Sequence, residues 1–572
     1  MLLYFKTRRE KNMSYKDTYN NWLNHPNLDA KSREEMLKMS EKDIENAFYT
    51  NIKFGTAGMR GVMGVGTDRI NIYTIRKATL GFANYLNANN KDGIAIGYDN
   101  RHNSKDYAYD CAALLASKGI KTYLFDSLRP TPELSFATRY FKCDGGIMIT
   151  ASHNPKQYNG YKLYDETGCQ LIPELAEKVT AEVNKIEDPL SITIGDYDKS
   201  LINIVNTEVD EAYYKEVMSI SLRKDLPNKD KLKIVFSPEH GASNIPVRET
   251  LRRAGFDVYA VEEQAIPDGD FPNTKTPNPE EAGAYEGVIE LARKLDADLL
   301  LVCDPDGDRM GVGVKKDSDY HIFNGNQTGA LLLEYILSTR KELGMEVDHP
   351  VMFNTIVTSD IGEAVANYYG VECEKTLTGF KFIGNKVKQY EENGKKTYVF
   401  GYEESYGSLI KPFVRDKDAT QACMMLAEEA VYYHNQGKTL YDVLLGIFDK
   451  VGAYFDAQMS IMLPGADGAE KLAAIMKNIR ENPFSIDGYK TVKIEDYKTQ
   501  KTTYSDGRVE DLTGFDVTDA IKYYLEDGSF IAIRPSGTEP KCKIYLSTKD
   551  ATYDAAVKKC DDFKKIMSEI IK

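Results

Sequence analysis

In "VCDPDGDRM" three acidic residues alternate directly after an apolar run: Asp304, Asp306 and Asp308. Carboxylates this close repel one another unless a cation joins them. Hard oxygen donors of this kind suit Mg²⁺ or Ca²⁺. A helix–loop–helix calcium site would need glycine at its sixth position and glutamate at its twelfth, where Arg309 and Lys315 stand, so that reading fails. The plain alternative is a solvated acidic turn.

A second constellation lies in "GGIMITASHNPKQYNGYKLYDETG", residues 145–168. An apolar run ends in Ser152 and His153, and Lys162 follows ten residues after the serine in what reads as a polar loop. The glycines of a G-x-S-x-G elbow are missing around Ser152, which argues against a hydrolytic triad. A serine hydroxyl can instead carry a phosphoryl group. Phosphoserine brings about −1.5 to −2 charges, which a divalent cation on three aspartates would neutralise. Lys162 would then move protons to and from a sugar hydroxyl, provided that neighbouring cations and partial burial lower its pKa. The strand-D-x-D-G pattern also resembles the nucleophile loop of haloacid-dehalogenase-type phosphatases, although Asp308 stands where those have Thr or Val.

Four further stretches carry chemistry. "GYEESYG" offers Glu403 and Ser405, a pair able to grip vicinal hydroxyls or simply an exposed turn. "RPSGTEP" joins the bidentate fork of Arg534 to the hydroxyl and backbone donors of Ser536, Gly537 and Thr538, an anion-binding set well matched to phosphate. "FGTAGMRGVMG" places Arg60 in a glycine-rich segment that is not a nucleotide loop. "DKDAT" presents Lys417, which alone reads equally well as a helix start.

The elements that must position these groups alternate. "GIAIGYD", "IKTYLFD" and "GGIMIT" read as strands, with helices at "DYAYDCAALLASKG" and "TPELSFATRYF" between them. Continuous apolar runs flanked by helices predict parallel sheets covered on both faces. The rhythm returns in a second series from "KIVFSP" to "DLLLVC" and a third from "VMFNTI" to "YVFGYE", each closing on a polar loop. Ligands of open α/β sheets sit beyond the carboxyl ends of strands. Three units with equivalent loops predict an internal repeat. From about Asp456 the rhythm breaks into strands with two helices, a smaller α+β domain.

Composition sets the limits. At 572 residues the chain has room for about three to five domains. Its net charge of −14 argues against nucleic acid or an anionic membrane as partner. No apolar run approaches the ~20 residues of a membrane span. The eight cysteines are scattered, as in a protein of the reducing cytosol. The first dozen residues read as a frayed extension, and Met13 offers a second start.

Taken together and in this order, "TASHNP", "DPDGDR", "GYEES" and "RPSGTEP" resemble the loops of the α-D-phosphohexomutases, and within that family the longer bacterial phosphoglucomutases, from about Tyr15 to the C-terminus. The resemblance implies four domains round a central cleft: residues 1–228, 229–321, 322–453 and 454–572, each giving one loop. It implies Ser152 as the phosphoserine, with Ser152, Asp304, Asp306 and Asp308 as Mg²⁺ ligands, and Lys162 as acid/base. Glu403 and Ser405 match the sugar-gripping pair. Arg534, Ser536, Gly537 and Thr538 match the phosphate loop. Arg60, His153 and Arg309 match polar active-site positions, Lys417 a substrate-contacting lysine, and Thr378 and Gly379 in "TLTGFKFIG" the sugar-selecting loop. Ser408 follows "SYG" where certain phosphomannomutases carry histidine, which favours glucose. The implied reaction interconverts glucose 1-phosphate and glucose 6-phosphate through a phosphoserine and glucose 1,6-bisphosphate, the bisphosphate also serving as activator. The implied partners are small sugar phosphates and the implied setting the cytoplasm, as monomer or dimer. Mannose- or pentose-type mutases, a Mg²⁺ phosphatase with Asp304 as nucleophile, and a non-catalytic sugar-phosphate sensor stay open as alternatives.

Overall fold

Short aliphatic runs bounded by glycines and polar turns build the first sheet of the computed structural model, which describes residues 14–55, 58–462, 468–486, 488–535 and 541–571. Its strands are β1 (Met59–Val62), β2 (Ile94–Tyr98), β3 (Thr122–Phe125), β4 (Gly145–Ile149), β5 (Tyr158–Asp165) and β6 (Ile202–Val205), in the order β1-β5-β4-β2-β3-β6. Every residue of β2 and β4 is buried. The reason is helices on both faces. Ile94, Ile96, Ile147 and Ile149 pack with Phe82, Ala108 and Leu115 of the helices Ile72–Ala88 and Ser104–Ala116. Ala95 and Met148 on the other face join the cluster that holds Leu134 and Ala137 of the helix Thr131–Tyr140.

The second sheet comprises β7 (Ile234–Ser237), β8 (Val258–Ala260), β9 (Leu299–Cys303), β10 (Met310–Lys316) and β11 (Asp319–Phe323), ordered β11-β10-β9-β7-β8. The third comprises β12 (Pro350–Thr355), β13 (Glu372–Thr376), β14 (Thr397–Tyr402) and β15 (Ser408–Leu409), ordered β13-β12-β14-β15. The repeat is therefore topological. The runs β3-β2-β4-β5, β8-β7-β9-β10 and β13-β12-β14-β15 are equivalent, and in each the third strand along the chain ends in one of the polar loops.

The sheets are mixed rather than purely parallel, which corrects the sequence-based expectation. β2, β3, β4 and β6 run parallel, as do β7, β8 and β9, and β12, β13 and β14. The return strands β5, β10 and β15 run antiparallel to the strand before them. A polar loop of a few residues can lead only into an antiparallel neighbour, because a parallel return needs a long crossover. Lys162 accordingly lies not in a loop but on β5, opposite Met148 of β4. Pairing of the two strands brings it back beside the serine loop.

The last unit is a wholly antiparallel sheet of β16 (Ala453–Met462), β17 (Thr491–Asp496), β18 (Lys501–Tyr504), β19 (Val509–Asp511), β20 (Ile521–Leu525), β21 (Phe530–Pro535) and β22 (Lys541–Asp550), ordered β16-β22-β21-β20-β17-β18-β19. The helices Gly468–Glu481 and Tyr553–Ile570 supply Leu472, Met476, Cys560 and Phe563 to its own core, with Ile533 and Ile544 from the sheet. A small seam, Ile356, Val357 and Leu377 against Phe530, Ala532 and Tyr545, joins it to the third unit. Among the described residues no helix is long and apolar enough to cross a membrane.

Candidate active site

β4 ends in Thr150-Ala151-Ser152, and the buried Ser152 adopts φ 52°. This left-handed conformation costs a non-glycine residue about 1–3 kcal/mol, and local bonds offset it. The Ser152 amide donates to Thr150 Oγ1 at 2.9 Å. Its hydroxyl donates to Asp304 Oδ2 at 2.7 Å and lies 3.1 Å from His153 Nδ1.

Asp304 stands at the end of β9, where its Oδ1 accepts the amides of Asp308 (3.1 Å) and Arg309 (3.0 Å). The turn needs glycine at Gly307, whose φ is 65° and where a Cβ would lie 2.8 Å from Pro130 Cβ. Asp306 Oδ2 accepts from Lys162 Nζ at 2.7 Å and from Thr131 Oγ1 at 3.0 Å. Lys162 Nζ also lies 3.6 Å from Asp308 Oδ2, and Lys417 Nζ lies 3.1 Å from that oxygen and 3.0 Å from Asp416 Oδ1.

Burial, then the neighbouring Asp306 and Asp308, push the Asp304 carboxyl well above the usual carboxylate range. Burial works against the Asp306 carboxylate too, but Lys162 outweighs it and holds the group below that range. The expected lowering of the Lys162 pKa is not found. Burial disfavours its charged form, yet Asp306 and Asp308 prevail and the net shift is upward, since its nearest partners are carboxylates and not cations. Burial, followed by Arg309 and Arg60, holds the His153 imidazole well below its ordinary value and so neutral.

The three aspartates each offer an oxygen within 4.8 Å of the others. Oδ1 of Asp306 and Oδ1 of Asp308 are buried without a hydrogen-bond partner. Unpaired buried carboxylate oxygens are costly, and a hard divalent cation would satisfy them. The donor set fits a metal of that class.

Above this floor opens a cleft of 1240 Å³ that brings together Arg60, His153, Arg309, Thr378, Gly379, Glu403, Ser405, Lys417 and Arg534. Arg60 Nη1 donates to Asn154 Oδ1 at 2.9 Å. The loop after β14 is locked onto the aspartate loop, with the Met310 amide donating to the Tyr406 carbonyl at 3.0 Å. Ser536, Gly537 and Thr538 lie outside the described residues. Several charged cleft residues escaped the sequence reading, among them Glu280, Lys541 and Lys543. Glu280 accepts from Arg309 Nη1 at 2.5 Å, and Lys541 and Lys543 line the cleft on β22, with Lys543 paired to Arg534. The alternation in "KCKIY" puts both lysines on one face and was a readable signal; nothing in the sequence marked Glu280.

Glu403 is buried, and its Oε1 accepts the Gly379 amide at 2.8 Å, tying the third unit's two loops together. Burial, opposed by Lys417, pushes its carboxyl up to about 7. Only the ionised form accepts from both the amide and a sugar hydroxyl. As kcat/KM reports the free enzyme, it is expected to climb as pH rises through about 7. Glu403→Gln, which cannot ionise, is expected to run flatter across that range and about ten- to a hundredfold lower. A pH profile of the two proteins that superimposes would remove Glu403 from the sugar site.

All four sheets match one family. Residues 51–189, 211–317 and 324–451 match α/β/α domains I, II and III of the phosphoglucomutase/phosphomannomutase family, and residues 467–562 its C-terminal domain. The chain belongs to that family and is a phosphohexomutase, an isomerase. Phosphoglucomutase of Staphylococcus epidermidis is 39% identical over 553 residues, covering 95% of this chain and 99% of the relative. That of Staphylococcus aureus is 39% identical over 545 residues, covering 94% and 97%. Among solved structures, the open form of the Paramecium phosphoglucomutase pp63/parafusin superposes with a TM-score of 0.66 at 18% identity, over 91% of this chain and 95% of that one.

Proposed function

We propose that the protein is a phosphoglucomutase, interconverting glucose 1-phosphate and glucose 6-phosphate through phosphorylated Ser152 and glucose 1,6-bisphosphate. The observation that carries the reading is the Ser152 hydroxyl 2.7 Å from Asp304 Oδ2, at the head of a buried three-carboxylate cluster beneath the cleft. The activity named for the Staphylococcus relatives supports it.

In this reading the phosphoryl group on Ser152 passes to the free hydroxyl of the bound sugar phosphate, the bisphosphate turns end for end, and its other phosphoryl group returns to Ser152. Such transfers depend mainly on alignment and charge stabilisation. Mg²⁺ held by Asp304, Asp306 and Asp308 would supply charge neutralisation to the phosphoryl oxygens. Lys162, kept charged by its aspartates, gives a proton to the serine oxygen as it leaves phosphorus and takes one from the attacking hydroxyl. Glu403 and Ser405 serve both sugar poses from the middle of the cleft. Arg534 holds the phosphate that is not reacting, together with the loop that follows it. Loss of its fork removes about 1.5–3 kcal/mol of charge-assisted hydrogen bonding. Arg534→Ala is therefore expected to raise KM at least tenfold with the metal titration unmoved, and equal effects on both would place this arginine elsewhere. The cytoplasm is the setting that eight free thiols fit.

A coupled assay across glucose, mannose and ribose 1-phosphates, with and without the bisphosphate activator, tests the assignment. Glucose 1-phosphate is expected to turn over fastest, and faster still with activator. A preference for mannose or ribose 1-phosphate would overturn the glucose assignment. Acid-labile phosphate on Asp304, in place of acid-stable phosphate on serine, would overturn the covalent scheme.

A further inference from the structure

Strands β2 and β4 end side by side, with Tyr98 beside Ile149. The segments that follow them therefore meet: Asp99-Asn100-Arg101 and Thr150-Ala151-Ser152. Arg101 turns its guanidinium under the serine loop. Its Nη2 donates to the carbonyl oxygens of Ser152 (2.6 Å) and Asn154 (2.5 Å), its Nη1 to those of Pro155 (2.9 Å) and Tyr158 (3.0 Å). Four converging carbonyl dipoles repel one another, and one cationic fork between them holds the 152–158 turn in shape. The fork is itself fixed. Asp99 Oδ2 lies 3.3 Å from its Nε, and both side chains are fully buried. Asp99 Oδ1 in turn accepts the Arg101 amide at 2.9 Å and Ser104 Oγ at 2.7 Å. On its other side the guanidinium lies 5.1 Å from the centre of the Phe271 ring, and the adjacent Asn100 donates to the Asp268 carbonyl at 2.8 Å. Asp268 and Phe271 belong to the second unit, which carries Asp304.

One guanidinium thus touches both the loop that bears the nucleophile and the unit that bears the carboxylates. We propose that Arg101 is a positioning residue for phosphoryl transfer: its fork fixes the serine loop against the second unit, so that the phosphoryl group on Ser152 stays aligned with the sugar and closed to water. The proposal rests on the assignment of Ser152 as the phosphoserine. In the reaction that the fork suppresses, a water oxygen bonds to phosphorus as the Oγ–P bond breaks. The serine oxygen takes up a proton and inorganic phosphate leaves. A residue that only held the fold together would lower transfer to sugar and transfer to water alike. A positioning residue changes their ratio.

The test uses the full chain with Arg101→Lys, which keeps the charge and loses the fork. Mutase turnover is read alongside phosphate release from glucose 1,6-bisphosphate. The expected result is a fall in kcat of about a hundredfold, the scale on which a small misplacement of reacting groups acts. KM for glucose 1-phosphate is expected to change little, while phosphate released per mutase turnover rises at least tenfold. Millimolar guanidinium is expected to restore part of the transfer in Arg101→Ala. A folded Arg101→Lys with the wild-type ratio overturns the proposal. Should Arg101→Lys lose its fold, Asp99→Asn decides, since it keeps the fork and removes its counter-charge: a raised ratio supports the role and a wild-type ratio overturns it. Failure of the phosphoserine assignment shows separately, as a wild-type protein that carries no phosphate on Ser152.

Discussion

Ser152→Ala is expected to abolish turnover, with a loss on the order of 10⁴–10⁶-fold in kcat, the scale seen when a covalent nucleophile is deleted. Alanine pays the same left-handed backbone cost as serine at φ 52°, so the loop is expected to keep its course. The bonds from Arg101 to the loop carbonyls do not involve the hydroxyl and remain. What is lost is the oxygen that carries phosphorus, together with the donor to Asp304 Oδ2. The variant should still bind sugar phosphate, because the cleft groups are untouched. The measurement pairs the coupled assay with intact mass after incubation with glucose 1,6-bisphosphate. Wild type gains one phosphoryl group and the variant none. Turnover near the wild-type rate in the variant would end the covalent scheme.

Asp306→Asn is expected to have the next largest effect, about 10²–10³-fold in kcat, with the midpoint of a Mg²⁺ titration moved at least tenfold upward. A cluster of three carboxylates owes its cation affinity to charge as much as to oxygen count. The amide keeps one oxygen but removes the charge that faces Lys162 at 2.7 Å. The lysine then loses the partner that raises its pKa most. Without metal the variant is expected to melt at a lower temperature, because the buried pair with Lys162 favours the ionised Asp306 in the fold and its removal leaves the lysine poorly compensated. An unmoved Mg²⁺ midpoint would remove Asp306 from the metal site.

The strands that the sequence announces are those buried on both faces. β2, β4, β9 and β14 are near-continuous apolar runs, and their loops follow at once. β5 escaped detection for the opposite reason. Its "YNGYKLYD" mixes tyrosines with buried polar groups whose partners lie far along the chain: Asn159 bonds the His102 carbonyl at 3.0 Å and Tyr164 bonds Asp416 at 3.0 Å. Such a strand has neither an apolar run nor a clean alternation, so Lys162 was legible as a residue but not as part of a strand. The site divides the same way. Groups inside short loops, such as Asp304, Asp306 and Glu403, carry their spacing within one segment, where it can be read. Groups that act on backbone carbonyls, as Arg101 does, or on a side chain from another unit's loop leave no pattern within one segment.

One apolar cluster threads the first three units, from Met148 through Phe236 and Leu301 to Phe353 and Tyr402, whereas the last unit is built round Ile533, Ile544 and Phe563. The chain passes between them at Gly452, a single residue at φ 94° between the helix Leu440–Val451 and β16. On the proposed reading the reacting groups lie on the first three units and Arg534 on the fourth, which meets them at the seam around Ile356 and Phe530, through Tyr454 of β16 in the shared cluster, and at the Phe448–Tyr553 ring stack. In that reading, how readily those contacts loosen would set how long a half-turned bisphosphate stays in the cleft before it escapes.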